Sequence, residues 1–540
     1  MDAHGGSVRH VKRGGAIALA LAALMAMPAG ASADQIGGDF NGDGRGDLAV
    51  GLEGQSVSGQ ARAGAVQVIY GSKRGLTGNG DRVFTQDTRG MKERAEPSDG
   101  FGVALATGDF NGDRFADLAV GVPFEDRAGK QNAGAVQILY GSRHGLRTSG
   151  DQLFVVGEGG VQGQPDAFGG FGWSLAAANF GRSRFADLAV GTIGADVGGA
   201  DGAGALNVLY GSRSGLRGKG SQRFSQDTPG VAAISEADDQ FAASLAAADF
   251  GRDGHADLAV GVRDEDVGTA GDAGAVNVLY GSPKGLGPKH GQFLDQDQVG
   301  FGEESAEADE RFGSSLAAAN LGRGDRADLA IGVPGQTVGM QGAAGEVNIV
   351  YGSRAGLQSA GVQVWSQANV GSFDAPGANE RFGDSLAAAN FGRSKQSDLA
   401  VGAPNDCPGS ALCTVDAGAV DVLYGSASGL SSANAQYFSQ GQNGVADQEE
   451  TGDLFGFGVA AGRFEGARIS DLAISAPTED LRVPDDDAGA VHVLRGSPSG
   501  ITTDGDRFLT QGHAGLQGSI QKGDEFGAAL SGPYSGTVFD

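Results

Sequence analysis

Cysteine is nearly absent from this chain: 540 residues hold two, Cys407 and Cys413. A pair this close in sequence is expected to close a local loop as a disulfide, not to hold a fold together. Zinc would need further ligands nearby, and none stand out. Tryptophan is as scarce, with only Trp173 and Trp365, which weakens a sugar-stacking surface. No H-E-x-x-H or G-x-S-x-G signature occurs. The stretch Gly425-Ser426-Ala427-Ser428-Gly429 has its serines beside the centre, and the histidines are scattered. Basic residues number 39 against 66 acidic ones, a formal charge of −27. Such a surface repels phosphate backbones and anionic lipid, so no nucleic-acid partner is expected. Long apolar runs are missing too, apart from residues 16–27, AIALALAALMAM. That run is too short to span a bilayer comfortably. Lying between Lys12-Arg13 and P-A-G-A-S-A, it reads as a secretory signal peptide over 1–33. Cleavage would leave the rest more negative still, released as a secreted, soluble monomer with no membrane insertion.

What the chain has in abundance is repetition. The phrase D-L-A-[VI] recurs with its aspartate at 47, 117, 187, 257, 328, 398 and 471, a spacing of 70 to 73 residues. G-A-V-x-V-L-Y-G-S recurs in variants from Gly64, Gly134, Gly204, Gly274, Gly345, Gly418 and Gly489, and F-[GA]-x-x-[LV] from Phe101 to Phe526, also seven times. Each repeat reads as four short strands separated by Gly, Asn and Asp clusters, the third strand alternating. Seven such units predict an all-β, seven-bladed β-propeller over residues 34–540, with four antiparallel strands per blade. A calcium-binding parallel β-helix has a far shorter repeat, and WD-type propellers a repeat of about 40–45 residues with a Trp-Asp signature. The first repeat lacks its F-G-x-x-L piece, and the seventh such piece, Phe526 to Leu530, has no aspartate motif after it. The C-terminal strand is therefore expected to complete the first blade and close the ring.

The turn between the first and second strands holds the chemistry. In repeat 1 oxygen side chains fall at loop positions 1, 3, 5 and 9: Asp39, Asn41, Asp43 and Asp47, with Arg45 offering its carbonyl at position 7. Repeat 2 has Asp109, Asn111, Asp113, Phe115 (carbonyl) and Asp117. Calcium takes six to eight oxygens, and an alternating loop with glycine at the bend can wrap it. Repeat 4 is a marginal site, keeping Asp249, Asp253 and Asp257 with Gly251 at position 3. The other four loops lose most ligands but keep the ninth aspartate, which implies a structural task as well, accepting backbone N–H groups. Arg45-Gly46-Asp47 spells an adhesion tripeptide. Asp47 is expected to turn inward, however, and a second copy, Arg323-Gly324-Asp325, sits in a different register.

F-G-x-x-L, D-F-N-G-D-G-x-x-D and D-L-A-V-G-V-P together resemble FG-GAP repeats, which form the N-terminal propeller of integrin alpha subunits and related bacterial exported proteins. The resemblance implies calcium in these hairpin loops and ligands on the opposite face. Repeats 1, 3 and 4 lack the proline of the motif, and nothing resembles integrin leg domains, so heterodimer membership is not implied. Alternation of strand direction independently puts the longer loops, such as 52–63, 122–133 and 262–273, on the face away from the calcium turns. Acidic clusters there, such as Glu125-Asp126 and Asp264-Glu265-Asp266, read as a solvated rim. The leading expectation is a non-enzymatic, calcium-binding propeller for adhesion or for an extracellular protein or glycan ligand. The alternative is an exported hydrolase or lyase with a carboxylate site on that face.

Overall fold

The structure, a computed structural model, describes residues 38–251, 254–298, 305–371, 375–408, 416–481, 487–513 and 515–531. The signal-peptide region 1–33 lies outside them, as do Asp253 and Cys413. Seven four-stranded antiparallel sheets form the blades of a propeller, and the short helix Gln367–Val370 accompanies them. Blade 2 shows the plan: strands Leu105–Gly108, Asp117–Val122, Ala135–Tyr140 and Arg147–Phe154 pair in chain order. Blade 3 repeats it with Phe171–Ala178, Asp187–Thr192, Ala205–Tyr210 and Arg217–Phe224. First strands of neighbouring blades touch one another, so they line the centre.

Blade 1 is the exception to chain order. Its inner strand is Phe526–Leu530, paired antiparallel with Leu48–Leu52, and Leu530 lies opposite Val50. Ser531 adds a hydroxyl that accepts from the Ala49 N–H at 2.8 Å. The expected closure is what the chain does, and no sheet is left with a free inner edge.

Packing explains the sequence pattern. The D-L-A-V-G-V strand of blade 2 is buried along its whole length, because blades cover both of its faces. Continuous apolar runs suit such a strand. The third strand was expected to alternate, and it does so in residue type but not in exposure: Gln67 and Gln137 are as buried as their apolar neighbours. The phenylalanine of each F-[GA]-x-x-[LV] phrase is fully buried between blades. Glycine at position 5 of D-L-A-V-G-V is required by close approach. A Cβ on Gly121 would stand 2.1 Å from the Gly172 carbonyl oxygen of the next inner strand.

Hydrogen bonds between blades run round the whole ring. On the short-turn face, the N–H at loop position 8 donates to the position-1 carbonyl of the preceding loop. The series is Ala116 to Asp39, Ala186 to Asp109, Ala256 to Asn179, Ala327 to Asp249, Ser397 to Asn320, Ser470 to Asn390 and Gly46 to Arg463. On the opposite face the N–H groups of Phe101, Phe171, Phe241, Phe312, Phe382, Phe455 and Phe526 donate to the carbonyls of Ala63, Ala133, Ala203, Ala273, Ala344, Ala417 and Ala488. Ser174, Ser244, Ser315 and Ser385 each donate a hydroxyl to a backbone carbonyl of the next blade, that of Ala242, Gly313, Gly383 and Gly456, at 2.6–2.7 Å.

Candidate metal centre

The ninth-position aspartate fixes each loop from beneath. Asp117 accepts the Phe110 N–H on one oxygen and the Gly141 N–H on the other, both at 2.9 Å, so it ties the loop to the turn after the third strand. Asp47 does the same with Phe40 and Gly71. Asp187, Asp257, Asp328 and Asp398 repeat the pair of bonds. The expected structural task is therefore real. Burial pushes the Asp47 and Asp117 carboxyls up to about 8, against the two backbone N–H groups that pull them down, and the carboxylates at positions 1 and 5 push further. Both adhesion tripeptides lose their plain reading here. Asp47 is 1% exposed, and the Arg323 guanidinium lies over the Tyr351 ring at 4.2 Å.

Above the clamp, the first two loops are wrapped by their own side chains. Asp39 Oδ1 and Asn41 Oδ1 both accept the Asp43 N–H, at 3.1 and 2.9 Å, which brings those two oxygens to one point. Asp39 Oδ2 takes the Gly44 N–H, and Asp43 Oδ1 takes the Arg45 N–H. Loop 109–117 copies this, with Asp109 and Asn111 sharing the Asp113 N–H and Asp113 accepting from Phe115 N. These donors are all oxygen. Asp39 Oδ1 and Asp109 Oδ1 each already accept two N–H groups. Asp39 Oδ2, Asp109 Oδ2, Asp43 Oδ1 and Asp113 Oδ1 accept one and keep a second lone pair. Asp39 is only half-buried, so the residues present fit a hard divalent cation. Arg45 and Phe115 stand at position 7, where a backbone carbonyl is the group on offer, and the Arg45 guanidinium also meets Asp43 Oδ2 at 3.3 Å. Phe115 also packs its ring on Gly42, where a Cβ would be 2.6 Å away.

Loop 249–257 differs. Asp249 accepts the Gly251 N–H and also the Arg326 guanidinium from the next blade at 2.5 Å, so a cation of the protein's own already stands at position 1. Its remaining candidates are Asp257, which acts as the clamp, and Asp253, which lies outside the described residues.

In loops 3, 5 and 6 an arginine fills the role. Arg182, Arg323 and Arg393 occupy position 4, in left-handed backbone, and lie over Tyr210, Tyr351 and Tyr424 at 3.7, 4.2 and 4.2 Å. Arg182 also donates to the Lys284 and Gly220 carbonyls, both at 2.7 Å. Burial pushes Asp187, Asp328 and Asp398 up to about 7, against the backbone N–H groups that pull them down and, to a smaller extent, the arginine, which pulls the same way. Sequence reading saw these loops as decayed and missed the arginines, although N-x-G-R recurs at 179–182, 320–323 and 390–393.

The long-loop face carries a second feature. At most blade junctions a glutamine ending one blade donates to an acid or amide in the next blade: Gln86 to Glu125, Gln226 to Glu265, Gln296 to Gln336, Gln367 to Asp406 and Gln440 to Glu479. A further acid on the inter-blade loop lies beside the pair, as Asp99, Asp239, Glu310 and Asp453 do. Glu125 and Glu265, expected on a solvated rim, are 2% and 5% exposed. Burial and the neighbouring acid push both up to about 8. Junction 2–3 replaces the glutamine with Val156 and the acid with Ala195, both buried. Cys407 is disulfide-bonded and 1% exposed.

Comparison with known proteins agrees with the repeat. Residues 101–139 and 241–279 match the FG-GAP repeat. Phosphatidylinositol-glycan-specific phospholipase D of Bos taurus is 35% identical over 154 residues, 28% of this chain and 17% of that protein. Integrin alpha pat-2 of Caenorhabditis briggsae is 31% identical over 202 residues, 35% of this chain and 14% of the integrin. Mouse integrin alpha-8 is 32% identical over 163 residues, 29% and 14% of the two chains. The chain thus spans about a sixth or less of the length of these relatives. The solved structure of a Bacillus licheniformis rhamnogalacturonan lyase aligns with 85% of this chain and 86% of that one, at 10% identity and a TM-score of 0.32, too loose a likeness to bear on function. FG-GAP repeats are thus present at residues 101–139 and 241–279, and part of the chain is homologous to the N-terminal propeller region of integrin alpha subunits.

Proposed function

We propose that the chain is a secreted, monomeric, calcium-stabilised propeller that binds an extracellular protein or glycan on its long-loop face and performs no chemistry of its own. Calcium goes to loops 39–47 and 109–117, with Asp39, Asn41, Asp43, Asp47 and the Arg45 carbonyl as ligands in one and Asp109, Asn111, Asp113, Asp117 and the Phe115 carbonyl in the other. The observation that carries this reading is the sharing of the position-5 N–H, of Asp43 and of Asp113, by the side-chain oxygens of positions 1 and 3, which loops 3 to 6 cannot form because position 3 there is glycine. The homology to integrin alpha propellers supports the extracellular setting. No helix among the described residues is long and apolar enough to cross a membrane.

Bound metal raises the melting temperature in proportion to its affinity for the folded state. Calcium should raise Tm over chelator, and Asp43→Ala with Asp113→Ala should abolish that rise. An undiminished rise in the double variant overturns the site assignment. A pull-down and a glycan array, each run with calcium and with chelator, test the ligand face. A hydrolytic or eliminative activity lost on replacing an acid of that face would overturn the binding-only reading.

A further inference from the structure

A cavity of about 330 Å³ lies between the outermost strands of blades 1 and 2, Thr77–Phe84 and Arg147–Phe154. Arg82 of one blade and Arg147 of the next line it, with Thr88, Thr148, Ser149 and Gln517. No carboxylate is among the lining residues. Two carboxylates stand close by, but each is buried and already engaged. Asp81 accepts the Gln67 amide at 2.6 Å and the Gln517 N–H at 2.7 Å. Asp151 accepts the Gln137 amide at 2.5 Å and the Lys92 N–H at 2.9 Å.

The repeat shows that this positive charge is not needed to hold the blades. Where blade 1 has Arg82, blades 2 to 6 have glutamine: Gln152, Gln222, Gln292, Gln363 and Gln436. Each of them donates its amide to a carbonyl of the next blade, as Gln152 does to Leu216 at 3.2 Å. Arg82 makes the equivalent link, to the Leu146 carbonyl at 3.1 Å, with a single N–H. The rest of its guanidinium has no acceptor among the described residues, and Arg147 has none at all. Arginine recurs at the Arg147 position only in blade 3, where Arg217 faces Gln152. Blade 7 has Arg507 at the Arg82 position, but it faces Thr77. Junction 1–2 alone sets arginine on both sides.

We propose that this cavity binds an acidic sugar, its carboxylate held between the Arg82 and Arg147 guanidiniums. A guanidinium's planar fork matches the two oxygens of a carboxylate. The cavity is at the small end of ligand pockets, roughly 300–1,000 Å³, which suits one sugar ring. Three hydroxyls and an amide beside two cations match a ring dense in hydroxyls. An acidic peptide side chain offers them only a carboxylate on an aliphatic stem. Recognition is by charge and hydrogen bonds, so it needs no tryptophan platform. Lys73, Arg74 and Arg143, exposed in the turns that lead into the two strands, extend the positive potential along the rim. A polymer of such sugars would continue there. The site uses no residue of the proposed calcium loops and lies on the outer rim, so it stands or falls apart from the function proposed above.

The test is isothermal titration of the full chain, in chelator, with glucuronate and galacturonate. Glucose, galactose, acetate and acetyl-glutamate amide serve as comparison ligands. One uronate should bind per chain, and each comparison ligand should bind about tenfold more weakly or not at all. Arg82→Gln installs the residue of five other blades, so Tm should hold while uronate affinity falls about tenfold or more. Arg147→Gln, at an exposed position, should do the same. Acetate binding as tightly as uronate would mean a bare anion site. Tighter binding of acetyl-glutamate amide would mean an acidic-peptide site. Either result overturns the proposal, as do the absence of uronate binding and an affinity unchanged in both arginine variants.

Discussion

The loop of blade 2, residues 109–117, and that of blade 3, residues 179–187, have the same length and the same buried aspartate beneath them, yet they compensate its charge differently. Blade 2 sets Asp109 and Asp113 close to Asp117, which makes the charge problem worse unless a cation arrives from solution. Blade 3 puts Arg182 over Tyr210 at 3.7 Å and brings its own cation. Position 3 follows suit. Asn111 accepts the Asp113 N–H at 2.8 Å, whereas Gly181 lies so flat against the next blade that a Cβ would meet the Ser282 carbonyl oxygen at 1.8 Å. One backbone frame thus serves both a loop we propose to take an external ion and a loop that carries its own cation.

The comparison breaks most violently if the shared clamp is removed. Asp187→Ala leaves the buried Phe180 and Gly211 N–H groups without acceptors, and orphaning two buried donors should cost about 2–5 kcal/mol in urea unfolding. Asp117→Ala measured in chelator should cost the same. A much smaller loss in blade 2 would mean that the clamp is not common to both loops.

A smaller effect separates the two classes. Arg323→Gln gives up the ring contact with Tyr351 and a hydrogen bond to the Ser428 carbonyl, together worth about 1–3 kcal/mol. That loss should be the same with calcium and with chelator. A loss that calcium repaired would place a metal in blade 5.

The smallest effect is on pH dependence. Asp328 is raised by burial to about 7, above the usual aspartate value near 4, so the folded state holds its proton more tightly than the unfolded state does. Its contribution to stability is therefore complete at low pH and is lost as pH rises through 7. Arg323 opposes the rise, so Arg323→Gln should steepen the fall in Tm between pH 5 and 8 in chelator. A profile parallel to that of the parent would show that the guanidinium does not act on Asp328.

Much of this architecture could be read from spacing, because a repeat prints its own alignment. The blade count, the four strands and the closure by Phe526–Leu530 follow from where three phrases recur and where one is missing. The clamp was visible as an aspartate that outlived its neighbours. The arginine loops were harder. A guanidinium resting on a tyrosine 28 residues ahead, as Arg182 rests on Tyr210, is a contact across a blade that no local motif declares. The junction acids were misjudged because charge in a turn reads as solvated. Glu125 and Glu265 are buried by the neighbouring blade, and burial by a partner far away in sequence leaves no mark in the residues beside them.

Closure by the last strand also sets an order of events. The Ala49 N–H and the Ser531 hydroxyl that accepts it are 482 positions apart. A growing chain therefore exposes the edge of Leu48–Leu52 from its first blade until Phe526–Leu530 is made. Six blades can stack as they emerge, but the first waits, and an unpaired apolar edge is a template for other chains. The cost of closing so long a loop grows only slowly with length, so the wait is a matter of timing more than of energy. A premature stop would strand the molecule as an open spiral, its first blade missing the strand that lines the axis.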